Sequence, residues 1–311
     1  MGPQHVPHRR QRPGPGRDRP QRRRGHPRAV TPEQRDAAWI HEYDKTAAWL
    51  PAFSNVQLGI GEPTHWKGGT ISFDKRFAGY WRIAEIPGLV AIPGLPPLVF
   101  EEAKEGGYWV ATPSIVLLKE LWPTWNPQIL EAWAWEDSKR ALEGFYRKVR
   151  DSRVYIVAAA EAGRPGAKAA KQLNGAIYQS FRGYLSRLKG PKTDFATGEA
   201  YAKDIYWRPD WAFMLLAHAT ANMYRNLRDF ARDEGITPLY VNVDAAGFAS
   251  NEADPELAKP QSMTLGSQGG QWTDENTVPM ADFLPMFEQV TDSKVVGIHN
   301  AIENYTAERG E

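Results

Sequence analysis

Apolar and polar positions change period several times along this chain, and each change marks an element. Residues 31–34 read TPEQ, which fits a capping box with Thr31 as N-cap, Pro32 at the first helical position and Gln34 at the third. Residues 38–44 (AWIHEYD) alternate like a short strand. Between 70 and 100, the stretches TISFDKRF, GYWRIAEIPG and PPLVF read as strands interrupted by Gly and Pro. Two helical stretches are predicted next, over roughly 128–152 and 165–188, joined by VYIVAAAEAGRPG with Gly163, Pro165 and Gly166 at the turn. A long apolar helix is predicted from Pro209 to about Asp233, stopping at Gly235. The stretch ITPLYVNVDAAGFAS then reads as a β-hairpin turning at Ala245–Gly247. The last fifty residues are weakly patterned, and no internal repeat is visible. Strand, helical hairpin, helix and β-hairpin in that order predict an α+β fold, an antiparallel sheet with helices on one face.

Composition allows such a fold. The 311 residues are 42% hydrophobic and 12% aromatic, with twelve Trp, enough for a core in one large or two small domains. There are no cysteines, which excludes disulfides, thiolate metal sites and thiol catalysis. No apolar run reaches the roughly 18 residues of a membrane span and the N-terminus is rich in Arg and Pro, so a soluble, cytoplasmic protein is expected. The net charge of +1 hides an asymmetry, because residues 1–30 hold nine Arg and one Asp and leave the remainder at −7. That tail also holds six Pro and four Gly and is expected to be disordered. Two readings fit it: a nucleic-acid-binding arm, and a plain spacer or upstream sequence translated from a misplaced start.

Three places in this pattern carry candidate chemistry. Asp44 ends the first strand, with Glu42 on the same face and His41 and Tyr43 on the other, and KTAAWLP and a Gly-rich LGIGEP follow. A carboxylate at a strand end beside a tight turn suits Mg²⁺ through oxygen, and equally suits an Asp capping the next helix. In LYVNVD, Leu239, Val241 and Val243 are expected to face the core and Tyr240, Asn242 and Asp244 the other way. Asp244 at the tip is placed either for a metal or as part of an ordinary solvated strand face. Along 165–188, Arg164, Lys168, Lys171, Gly175, Tyr178 and Arg182 share one narrow stripe that is expected to face outward. Leu173, Ile177, Phe181, Tyr184 and Leu188 fall opposite. Cations hold phosphates, Tyr178 stacks a base or sugar, and Gly175 lets a ligand approach the backbone. A solvated amphipathic helix has the same pattern, although a mid-helix Gly costs about 1 kcal/mol against Ala.

Taken in order, these segments resemble the motifs of family B DNA polymerases, particularly the compact protein-primed kind. The first palm motif is an Asp followed by a Ser-Leu-Tyr-Pro-like stretch. Here it reads YDKTAAWLP, with Asp44 in the metal position, Trp49 where the sugar-gating Tyr stands, and Pro51 one residue late. The fingers motif is Lys, three residues, Asn, two residues, Tyr-Gly. KQLNGAIYQ keeps Lys171 and Tyr178 but has Gly175 at the Asn position and Gln179 at the final Gly. The second palm motif is Tyr-x-Asp-Thr-Asp-Ser. YVNVDA keeps Tyr240 and Asp244, with Asn242 and Ala245 replacing the first Asp and the Ser. The helix WAFMLLAHATANMYRNL before it and LGSQGGQW near Trp272 after it also fit, so the resemblance spans about residues 38–275.

The resemblance implies a tail at 1–30, a palm at 31–127 and 191–262, a helical-hairpin fingers subdomain at 128–190 and a reduced thumb at 263–311. It implies a DNA-dependent DNA polymerase-like nucleotidyltransferase acting in replication on primer-template DNA and deoxynucleoside triphosphates, with a priming or terminal protein as a further partner. Two Mg²⁺ ions would be held by Asp44 and Asp244, with Asn242 offering a neutral oxygen. Lys171 would hold the triphosphate with Lys168 assisting, Tyr178 would pack on the nucleotide, and Trp49 would press on its sugar. Arg147, Lys148, Arg150, Lys168 and Arg182 would line a groove for DNA. No exonuclease motif is recognisable, so no proofreading is expected. The altered motif residues, the lack of a Lys-rich thumb motif and the acidic remainder support the alternative, a catalytically inactive polymerase-like protein that binds DNA in replication or at DNA ends. A wide separation of Asp44 and Asp244 would instead leave an α+β protein without that chemistry.

Overall fold

A computed structural model describes residues 30–88, 95, 98, 100, 102–186, 208–242, 244–289 and 295–309. The Arg/Pro-rich tail and much of the PPLVF stretch lie outside the described residues. The fold is α+β. In chain order its elements are α1 (Pro32–Arg35), β1 (Trp39–Lys45), α2 (Leu50–Asn55), β2 (Leu58–Gly59), β3 (Thr64–Lys67), β4 (Ala78–Ile83), β5 (Tyr108–Ala111), α3 (Thr112–Leu121), β6 (Ile129–Trp135) and β7 (Ser138–Lys139). Then follow α4 (Glu143–Glu161), α5 (Ala167–Leu185), α6 (Pro209–Glu234), β8 (Tyr240–Asn242), β9 (Ala245–Ser250), α7 (Pro255–Ala258), β10 (Trp272–Pro279), α8 (Met280–Gln289) and α9 (Val295–Arg309).

The described strands form two four-stranded sheets, in the orders β10-β1-β9-β8 and β3-β6-β4-β5, and the small pair β2-β7. All pairings within them are antiparallel. In the first sheet β1 is a central strand. Trp39 sits opposite Pro279 of β10 and Ser250 of β9, and Asp44 opposite Thr273 and Ala245. Local signals account for several boundaries. Thr31 and Gln34 exchange the two bonds of a capping box at 3.3 and 3.2 Å. In α6, Pro209 opens the helix, and Gly235 closes it at φ 71°, a left-handed cap that favours glycine.

Three apolar clusters tie the elements together. One face of the first sheet (Tyr43, Phe248, Trp272) packs on the C-terminal half of α6 (Met223, Leu227, Phe230), and α3 and the second sheet close the far side through Ile115, Trp81 and Val110. The other face carries Ile40, Tyr240 and Val278 against Phe283 and Phe287 of α8 and Ile298 and Ile302 of α9. Helices therefore cover both faces of this sheet. The third cluster joins α2 (Leu50, Phe53), α4 (Val149), α5 (Tyr178, Leu185) and the N-terminal half of α6 (Met214, Leu215).

Three expectations fail for identifiable reasons. The first helix of the hairpin begins at Glu143, not near 128, and continues to Glu161 through the stretch expected to be a joint. Residues 129–135 (ILEAWAW) alternate with period two and form the strand between β3 and β4, where pairing on both sides overrides helix propensity. Residues 70–77 are not in a strand; β4 starts only at Ala78. The β-hairpin turns between Asn242 and Ala245, two residues before the expected position. Gly247 is inside β9, opposite Tyr240, and a Cβ there would lie 2.2 Å from the Tyr240 ring. Its glycine signals close packing, not a turn.

Gly247→Ala is expected to lower stability by about 1–3 kcal/mol, because the Tyr240 ring is fully buried and has no room to move. Urea unfolding followed by circular dichroism measures this; an unchanged midpoint would contradict the close packing described.

Candidate functional site

The first sheet brings the two acidic motif residues to one end. Asp44, next to last in β1, is directly opposite Ala245, and Asp244 immediately precedes Ala245 in the tight β8–β9 turn. The Lys45 N–H donates to the Asp244 carbonyl at 2.9 Å, closing the pairing at the sheet end. The chain after β1 is held against residues 264–273, the region of the LGSQGGQW stretch. Thr46 N–H donates to Gln271 O at 2.8 Å, Gly270 N–H donates to Thr46 O at 2.9 Å, and the Thr46 and Thr273 hydroxyls lie 2.7 Å apart. Ala47, immediately after these ties, has φ 53°, the left-handed region rarely adopted by a residue with a Cβ.

Glu42, Asp44, Glu275 and Asp244 crowd negative charge around one sheet face. Burial and then the charges of Asp244, Glu275 and Glu42 push the Asp44 carboxyl up to about 7, with His299 opposing. Glu42 is fully buried; it accepts from the Tyr240 hydroxyl at 2.9 Å and lies 2.7 Å from Nδ1 of His299 in α9. That hydrogen bond is the main reason the His299 imidazole is raised to about 9, so it faces Glu42 as a cation at neutral pH. Tyr240, expected to face away from the core, is thus buried beneath α8 and α9.

Two cavities open at this sheet end. One, of about 550 Å³, is lined by Asp44, Asp274, Lys171 of α5 and Arg153 of α4. Arg153 is 7% exposed and donates to the Ser267 carbonyl through Nε and Nη2 at 3.2 and 2.8 Å. It was not foreseen, yet the row Val149, Arg153, Val157 at four-residue spacing sets one cation in an otherwise apolar stripe, which is a readable signal. Tyr178 is buried, and its hydroxyl is raised by burial and also by Asp244 and Asp44, which places it at the same locus. The second cavity, about 250 Å³, is lined by Trp49, Asp244, Lys45 and the α6 residues Thr220 and Asn226. Lys45 points to the face opposite Asp44, its amine 5.2 Å above the Trp272 ring, and burial lowers it to about 8.

The remaining expected site residues are distributed differently. Trp49 lines the second cavity and not the one holding Lys171. Asn242 is half-buried at the hairpin tip, two residues from Tyr240 on the same face. Lys168 is exposed. Arg147 and Arg150 are exposed on α4 and paired with Glu143 and Asp151. The Arg182 side chain lies outside the described residues. The face of α5 bearing Lys171 and Tyr178 turns inward, contrary to expectation, and Leu173 and Ile177 are in solvent at 63% and 47% exposure. Buried Asn174 fixes this orientation, its side-chain amide donating to Val149 O at 3.2 Å. Residues 263–311, expected as a reduced thumb, supply β10 to the first sheet and α8 and α9 to its face. Among the described residues no three His, Cys, Asp or Glu side chains converge on a common ion position. No described helix is long and apolar enough to cross a membrane.

The site thus lies at the end of a four-stranded antiparallel sheet, under a helical hairpin and beside the long helix α6. The chain is structurally similar to Phi29 DNA polymerase, solved with primer-template DNA and incoming nucleotide substrates, at TM-score 0.50 and 14% identity. The match covers 82% of this chain and 46% of the polymerase, so the chain spans less than half of that protein. A binary complex of the same polymerase with primer-template DNA aligns at TM-score 0.49, 17% identity, 77% of this chain and 42% of the other. At these identities the likeness is one of fold. No protein-family model and no curated protein matches the sequence.

The raised groups set a pH dependence. His299 binds its proton more tightly folded than unfolded, so its contribution is complete below about 6.5 and is lost as pH rises through about 9. Asp44 ionises near 3.8 when unfolded and about 7 when folded, so its burial costs increasingly more as pH rises across that interval. Both terms have the same sign between pH 5 and 8. Metal-free protein is expected to lose roughly 2–4 kcal/mol over that range, after allowing for screening at partly exposed His299. Urea unfolding in EDTA at both pH values measures the slope; His299→Gln should reduce it and Asp44→Asn should reduce it more.

Proposed function

We propose that this chain is a nucleotidyltransferase of the DNA-polymerase type, extending a DNA 3′ end or a protein-primed hydroxyl with deoxynucleoside triphosphates. The observation that carries this reading is the pairing of β1 with β9, which sets Asp44 opposite Ala245, one residue from Asp244, while Asp44 shares a cavity with Lys171. The donors fit Mg²⁺: they are hard oxygens, and the Asp44 carboxyl holds its proton up to about 7 because burial and the charges of Asp244, Glu275 and Glu42 outweigh the opposing His299. Mg²⁺ held by two carboxylates would take its other coordination positions from substrate phosphates and water, its usual habit. Asp44 and Asp244 would hold two such ions, with the Asn242 amide oxygen beside them. Bound there, the ions would supply charge stabilisation for the attacking and leaving oxygens.

Residues of the chain account for the rest. Lys171 and Arg153, on facing helices, would neutralise the triphosphate, with Lys168 at the exposed rim. Buried Arg153 is pre-oriented by the Ser267 carbonyl, which limits the ordering cost on binding. Tyr178 would close the nucleotide side of the cavity through its hydroxyl, and Trp49 would approach from the Asp244 side. Arg147, Arg150 and Arg182 would meet the DNA backbone, the first two by exchanging their partners Glu143 and Asp151 for phosphates. A terminal or priming protein is a further proposed partner.

Primer extension with Mg²⁺ is the test. Asp44→Asn and Asp244→Asn are each expected to lower the rate by at least about a hundredfold, while Lys171→Ala mainly raises KM for the nucleotide. Mg²⁺ should also raise the melting temperature of the wild type and not of Asp44→Asn. DNA binding with no Mg²⁺-dependent extension in any variant would replace this reading with that of a non-catalytic DNA-binding relative.

A further inference from the structure

Six large hydrophobic side chains are exposed among the described residues, and five of them, Val154, Tyr155, Leu173, Ile177 and Tyr184, are on the α4–α5 hairpin. On α5 the exposure is ordered. Ala169, Leu173, Ala176, Ile177 and Ser180 recur at three- and four-residue spacing, and all five are exposed. The opposite face is committed to the interior through Ala167, Asn174, Tyr178 and Leu185. The helix therefore presents an apolar stripe of large and small residues along most of its 19 residues, the pattern by which one helix accepts another.

Charge selects the occupant. Between Glu143 and Leu185 the sequence holds eight Lys and Arg against three Asp and Glu, and α5 itself has Lys168, Lys171 and Arg182 and no carboxylate. A second copy seated on the same stripe would bring two such net-cationic hairpins together, which opposes self-association. Leu173 and Ile177, at the middle of the stripe, are aliphatic and offer no plane for a base; Tyr184 offers one only at its C-terminal end, which disfavours a nucleic acid along the stripe. We propose that the outward face of α5 docks an amphipathic helix with acidic flanks, belonging to a protein partner. Leu173 and Ile177 would fill its apolar seam, with Lys168 at the rim pairing with its carboxylates.

The test uses the full chain and a dye-labelled 21-residue model peptide with Leu at heptad positions a and d and Glu at e and g. Fluorescence anisotropy is expected to give a Kd of about 1–50 μM. Leu173→Glu combined with Ile177→Glu should weaken binding at least about tenfold with circular dichroism and unfolding midpoint unchanged, since both side chains are already in water. A peptide with Lys in place of Glu should bind at least about tenfold more weakly. The proposal is overturned by absence of binding, by equal binding of the double variant or of the Lys peptide, by displacement of the peptide with a single-stranded oligonucleotide, or by a dimer in sedimentation that the double variant abolishes. None of these readouts requires nucleotidyl transfer, so the outcome is independent of the activity proposed above.

Discussion

The antiparallel pairing of β1 on both edges is the constraint on which the rest of the site depends. A strand with hydrogen-bonded neighbours on two sides cannot slip by one residue without moving every side chain to the opposite face. Here one neighbour is β9, two hundred residues later, and the other is β10. Once Trp39 meets Ser250, Asp44 must meet Ala245, and Asp244 follows by a peptide bond. Arg153 and Lys171 arrive from a separate pair of helices, and the bond from Arg153 to Ser267 fastens those helices to the loop that also holds Thr46. The site is thus specified by backbone pairing first and by side-chain chemistry second.

Holding several carboxylates on one sheet face is costly, and the structure manages it unevenly. Glu42 is compensated by a tyrosine hydroxyl and a histidine delivered from the C-terminal helix. Among the described residues Asp44 has no such partner, and it instead resists ionisation. The difference separates a compensated carboxylate from an uncompensated one; perturbed acidity of the second kind occurs both at reactive sites and in structural charge clusters.

Local signals were the legible part of the sequence. The Thr31 capping box, the alternation of β1, the glycines at 163 and 166 and the Gly235 cap depend on a few adjacent residues, and each is where the pattern put it. The neighbourhood of Asp44 and Asp244 could be anticipated only through motif order, because no local rule pairs strands two hundred residues apart. What failed was the choice between faces and between meanings of one residue type. The amphipathic stripe of α5 was legible, but which side faced inward was decided by Asn174 and Tyr178 meeting α4 and the cleft. Gly247 marks contact with a tyrosine ring, although a glycine near a polar tip reads first as a turn. The ILEAWAW strand was absorbed into a neighbouring helix, and β10, α8 and α9 were hidden by a polar edge strand and a helix containing Pro285.

Helix α6 has 26 residues, a rod of about 39 Å, and its two halves serve different clusters. The N-terminal half is packed with the α4–α5 hairpin through Met214 and Leu215, and the C-terminal half lies under the sheet through Met223, Leu227 and Phe230. Such a rod does not bend readily between these anchors. A rocking of the hairpin would be delivered to the underside of the acidic sheet end as the tilt of a single lever, its fulcrum near the middle turns that line the Trp49 cavity.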